Sequence, residues 1–137
     1  MKEHEIIEKL VNALRSDEYE AIAALDNSEE RGSNMVSVAM DNTEQVNPYL
    51  PDYRYTISIY VSTHITEDDT GTEFEKIVED VKRRLDKFVL KEAPLDELFE
   101  EIPVVYFAYE DDNRMTVDDT YGKCYLAHLT YTAITSF

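Results

Sequence analysis

Residues 53–65, YRYTISIYVSTHI, alternate with a period of two over their whole length. Tyr53, Tyr55, Ile57, Ile59 and Val61 point one way; Arg54, Thr56, Ser58, Tyr60, Ser62 and His64 point the other. A helix would scatter these side chains around its axis, whereas a strand sorts them onto two faces. The stretch, continued to either side as PDYRYTISIYVSTHITEDDTG, predicts a long, half-buried antiparallel strand. Its second face is the unusual one. From Thr56 to Ile65 the only ionisable side chains are His64 and Tyr60, in a chain with 30 acidic and 13 basic residues and a formal charge of −17. A water-facing sheet surface in so acidic a chain should collect Lys and Glu, and edge strands in particular use charge against unwanted pairing.

The final segment repeats the pattern. From Cys124 to Phe137 there is no Asp, Glu, Lys or Arg. Tyr125, Ala127, Leu129, Tyr131 and Ala133 take one face of a closing strand, and Leu126, His128, Thr130, Thr132 and Ile134 the other. Thr, Ser, Tyr and His lose water at a lower cost than carboxylates when they find hydrogen-bond partners. Two readings stand: another part of the same chain covers these faces, or a neighbouring subunit does, with Tyr60 as an aromatic anchor.

Around these strands the remaining elements follow from periodicity. Ile6, Ile7, Leu10, Val11 and Leu14 form one helical stripe. Asp17 and Glu20 have capping-box spacing, which predicts a second short helix through DEYEAIAAL. DNSEERGSN reads as a loop, and 35–41 as a short strand. NTEQVNPYLPD, with Pro48 and Pro51, reads as a loop or an edge excursion. Phe74, Ile77, Val78, Val81, Leu85, Phe88 and Val89 define a long amphipathic helix over roughly 73–91, capped by Thr70 or Thr72 and limited by Pro94. LDELFEE adds a further turn. Residues 102–110 read as a strand, and DDNRMTVDDTYG as an acidic loop or hairpin tip. The expectation is one α+β domain over 1–137: an N-terminal helix and a mostly antiparallel four-stranded sheet with a long amphipathic helix packed on it, in the order α-β-β-α-β-β.

The charge argues against nucleic-acid backbone and anionic membranes as partners. A lone cysteine, Cys124, excludes an internal disulfide and suits a reducing compartment. No apolar run reaches the length of a membrane span, and MKEHEIIEKL is too charged for a secretory signal, so a soluble protein made in a cytoplasm is expected.

No catalytic constellation emerges. Of His4, His64 and His128, the last two could approach across neighbouring strands. Cys124 and His128 share a face but stand about 13 Å apart along a strand, too far for a nucleophile and its base. Acidic clusters at 67–69, 110–112 and 118–119 lack EF-hand spacing and read as solvated loops rather than metal sites. Mimicry of a DNA backbone, by an acidic protein that sequesters a basic or DNA-binding partner, is the alternative reading of the charge.

The order of elements, with YRYTISIYVST, then FEKIVEDVKRRL, then two closing strands ending YLAHLTYTAITSF, resembles the tail terminator proteins of long-tailed bacteriophages and prophages. The resemblance implies a structural subunit, made in the bacterial host cytoplasm, at the tail–neck junction of the virion. It implies a homo-oligomeric ring, commonly a hexamer, that ends tail-tube growth and meets the head connector. It implies no enzymatic activity and no metal or cofactor. A ring requires a heterologous, head-to-tail contact, expected at Thr56, Ser58, Tyr60, Ser62, Thr130, Thr132 and Ile134. Val46, Tyr49, Leu50 and Tyr53 are the expected contact to tube or connector. Glu67, Asp68, Asp69, Glu110, Asp111, Asp112, Asp118 and Asp119 are candidates for an acidic lumen or ring face, past which DNA moves without specific binding.

Overall fold

The computed structural model describes residues 2–23, 34–65, 70–119 and 122–136. Their order is α1 (Lys2–Ala13), β1 (Glu20–Ala23), β2 (Met35–Asn47), β3 (Leu50–His64), α2 (Thr72–Val89), α3 (Leu95–Leu98), β4 (Val104–Asp119) and β5 (Gly122–Thr135). The strands form one sheet in the order β1-β2-β3-β5-β4, antiparallel except for the β1–β2 pair.

The expected four-stranded sheet under a long helix is therefore corrected. Among the described residues the sheet has five strands, and strand outweighs helix at 52% to 28%. At 1.5 Å per residue α2 is about 27 Å long, whereas the 16 residues of β4 reach about 50 Å. The helices are short against the sheet they lie on.

The fifth strand is β1, from the segment expected to be a second helix. The amide of Glu18 bonds the Ser16 hydroxyl at 3.2 Å, closing a local turn rather than starting a helix. Ala21, Ile22 and Ala23 are all half-buried, without a helical stripe, and align with Val36, Ser37 and Val38. The second correction concerns 111–119, read as an acidic loop or hairpin tip, which is strand. β4 stays paired with β5 through Asp112–Leu129, Arg114–Ala127 and Met115–Leu126, as far as Asp119–Gly122. β2 and β3 likewise continue through the Pro-containing stretch to a turn at Asn47–Leu50, so that segment is a hairpin arm.

All three helices pack on one face. The stripe Ile6, Ile7, Leu10, Val11 and Leu14 of α1 and the row Phe74, Ile77, Val78, Val81, Leu85 and Phe88 of α2 are buried. They meet Val36, Val38, Ile57, Ile59, Val61, Ala127, Leu129 and Tyr131 in one core. Phe107 stacks on Tyr131 at 5.3 Å, and Phe99, just after α3, meets Phe107 edge-on at 5.6 Å. Neither expected threonine caps α2: Thr70 and Thr72 bond each other, and Gly71 supplies the N-cap with φ of 75°. A glycine suits that left-handed position.

Candidate functional site: the helix-free sheet face

Among the described residues no helix lies on the other face of the sheet. Register builds it row by row. Thr56 stands beside Thr132, Ser58 beside Thr130, Tyr60 beside His128, Ser62 beside Leu126, and His64 beside Cys124. Ser37 and Ala39 of β2 extend the rows on one side. Ala108, Asp111, Asn113 and Met115 of β4 extend them on the other. The seven residues expected at a subunit interface are thus brought together on one face. They are not equally available: Ser58, Ser62 and Thr132 are buried, while Thr56, Tyr60, Thr130 and Ile134 remain half-exposed. Tyr106 and Met115 add exposed apolar area to this face and were not anticipated. Met115 was hidden by reading 111–122 as a loop, and Tyr106 lay in the expected strand 102–110, whose faces were not assigned.

At the centre lies a polar chain that the sequence reading also missed. β2 bulges between Met40 and Asn42, and the intervening Asp41 accepts a 2.5 Å hydrogen bond from the Ser58 hydroxyl. Ser58 Oγ is also 2.7 Å from His128 Nε2. Tyr60 stacks on the His128 ring, with centroids 4.6 Å apart. Aspartate, serine and histidine in contact invite comparison with a catalytic triad, but the wiring runs the wrong way. A triad needs the imidazole to take the serine proton. Here that proton goes to Asp41, and Ser58 has no exposed surface for a substrate to reach.

The other candidates separate. His64 and His128 do not approach: His128 is level with Tyr60, four residues or about 13 Å along β3 from His64. Cys124 is level with His64 but wholly buried. His4 is exposed on α1. Among the described residues no three His, Cys, Asp or Glu side chains gather as a metal-binding set, and no helix is long and apolar enough to cross a membrane.

The acidic candidates divide as well. Glu67, Asp68 and Asp69 lie outside the described residues. Glu110 occupies a bulge of β4, Asp111 faces solvent beside it, and Asp118 is exposed near the hairpin end, one residue before Asp119. Asp112 points to the helix side. It pairs with Lys82 at 2.5 Å and takes two bonds from Arg114, which also reaches Glu75. The Arg114 guanidinium, then Lys82, bring its carboxyl down to about 2 against the opposing effect of burial.

The β2–β3 hairpin ends in a built turn. The Tyr49 amide bonds Asn47 Oδ1 at 2.9 Å, and the Gln45 side-chain amide bonds the Leu50 carbonyl at 3.0 Å. Asn followed by Pro48 is favourable turn chemistry. The turn displays Tyr49, 91% exposed, between Val46 and Leu50, each about half exposed. Tyr53 lies further down, half-buried, 6.4 Å from the Tyr55 ring.

Neither sheet edge is smooth. β4 carries bulges after Val104 and Tyr109 and three successive carboxylates at 110–112; β2, covered by β1 only over Met35–Val38, carries bulges after Met40 and Gln45 along its uncovered part. Bulges and charge are the standard obstacles to edge-to-edge strand addition. The geometry therefore favours the face over the edges as a contact surface. Comparison with protein-family models and with curated proteins returns no match.

Proposed function

We propose that the chain is a non-enzymatic structural subunit that assembles with copies of itself, and that its assembly is a phage or prophage tail–neck ring. The observation that carries the first part is the helix-free face. In a chain of charge −17, its centre is lined by Thr, Ser, Tyr and His, with Tyr106, Met115 and Ile134 adding apolar area. Copies this acidic meet at least electrostatic cost where carboxylates are fewest. A head-to-tail contact between this face and a second surface of the next copy closes a ring. The second part rests on the order of elements in the sequence. In that assembly the Val46–Tyr49–Leu50 tip reaches the tube or connector, and the exposed carboxylates Glu110 and Asp118 face the passage or the ring surface, whereas Asp111 belongs to the helix-free face. Asp112 is already committed to its cations.

Solution mass by light scattering, with negative-stain images, tests this. The expected result is a species of several chain masses with a central hole. Tyr60→Glu and Thr130→Glu should each stay folded, because both sites are half-exposed, and should each remain monomeric. A wild type that is monomeric with or without tail components, and that competes with DNA for a basic protein, would replace this reading with the sequestering one.

A further inference from the structure

We propose that proton uptake by His128 gates the contact between copies; the proposal rests on the reading of the helix-free face as the copy-to-copy interface. The argument is a count of protons. Ser58 has one hydroxyl proton and two close partners, Asp41 Oδ2 at 2.5 Å and His128 Nε2 at 2.7 Å. An ionised carboxylate only accepts, so the serine proton is on the Asp41 side. Ser58 must then accept from His128, which fixes Nε2 as the protonated nitrogen. Nε2 keeps its proton in both the neutral and the cationic ring. The chain of bonds thus survives titration, and the exchanging proton is the one on Nδ1.

The surroundings make that proton count. Around His128 on this face stand Asp41 of β2, Tyr60 of β3, and Asn113 and Asp111 of β4, one directly opposite and one a row along. Its own strand offers the uncharged Leu126 and Thr130, and the helices lie on the far side. Among the described residues no cation stands beside Asp41 or Asp111 on this face while the ring is neutral; with the ring cationic, one of the two charges is balanced. Closing an interface over an uncompensated carboxylate is costly, so the associated state binds the extra proton more readily. Association therefore tightens as pH falls and the ring takes up its second proton. One proton per contact limits the effect to about tenfold per pH unit. The stacked Tyr60 ring also favours a cation at this position.

The test is the association constant from light scattering between pH 5.5 and 8.5 at fixed ionic strength. Wild type should tighten several-fold from the top of this range to the bottom. His128→Gln, whose amide still donates to Ser58 but does not titrate, should be flat. Asp41→Asn should be flatter and should bind more tightly than wild type at pH 8. His4→Gln, exposed on α1 and away from this face, should keep the wild-type slope. An assembled wild type whose affinity ignores pH, or a His128→Gln protein with the wild-type slope, overturns this proposal and leaves the interface reading standing. A wild type that never associates at any pH overturns both. The ¹⁵N shifts of the His128 ring in the folded wild type give a readout that needs no variant: Nε2 should stay protonated throughout, and a neutral Nδ1–H tautomer would overturn the wiring.

Discussion

At the scale of single residues, charge in this chain does two different jobs, and their division was not legible from sequence. Asp80 and Asp112 look like any other of its carboxylates. Folded, Asp80 takes hydrogen bonds from Tyr19 at 2.7 Å, from Arg84 at 2.8 Å and from Arg83, tying β1 to α2. Burial pushes its carboxyl up, but Arg84, Tyr19 and Arg83 outweigh it and bring it to about 2. Asp112 does the same between β4 and α2. A carboxyl whose pKa is depressed by folding stabilises above its unfolded value, near 4, and loses that contribution as pH falls towards 2. Each of the two should contribute about 2 kcal/mol at neutral pH. We expect wild-type stability, followed by urea unfolding, to fall steeply between pH 4.5 and 2. Asp112→Asn should lose about 1–3 kcal/mol at pH 7 and titrate less steeply, because Lys82 and Arg114 lose their shared partner. Equal pH profiles for variant and wild type would show that the pair contributes nothing to stability.

At the scale of elements, periodicity read the interiors well and the ends poorly. The stripes of α1 and α2 and the alternation of β3 and β5 are buried as their spacing requires, because each packs against the common core. β1 and the outer half of β4 failed for related reasons. β1 is four residues long, too short to show a period, and it is fixed by Tyr19–Asp80 and by pairing with β2, contacts far away in sequence. β4 looked like a loop because edge strands tolerate carboxylates that central strands exclude. The bulge that aims Asp41 at Ser58 depends on register, which one strand's sequence does not carry. The hairpin arm was legible as an edge excursion, and its turn yields a prediction at this scale. Tyr49 and its neighbours contribute little to the core, so Tyr49→Ser with Leu50→Ser should change Tm by only a degree or two. If the tip contacts a tube or connector, the same protein should form rings yet fail to join tails in an assembly assay. Rings that join tails at the wild-type rate would remove the tip from the contact.

For the molecule as a whole, the distribution of charge matters more than its sum. Helices shield one sheet face and carry balanced pairs, Asp80 with Arg83 and Arg84 and Lys76 with Glu73, while Lys82 bridges α2 to Asp112 of β4. The other face keeps few charges at its centre, Asp41 and Asp111 near His128, while the formal charge of each copy remains −17. In the proposed assembly, a short-range attraction between these sparsely charged faces would stand against a long-range repulsion between whole chains. These two respond oppositely to salt. Repulsion acts over about 30 Å at 0.01 M salt and only about 10 Å at 0.1 M, whereas contact between Thr, Tyr and Ile side chains is barely screened. Ring formation at pH 7 should accordingly be weak at 0.01 M salt and rise steeply by 0.15 M, with little further change up to 0.5 M. An interface built from ion pairs would do the reverse and dissociate as salt rises. Sedimentation across this range separates the two. A mass that falls with added salt would move the contact away from the helix-free face and onto the charged helical side.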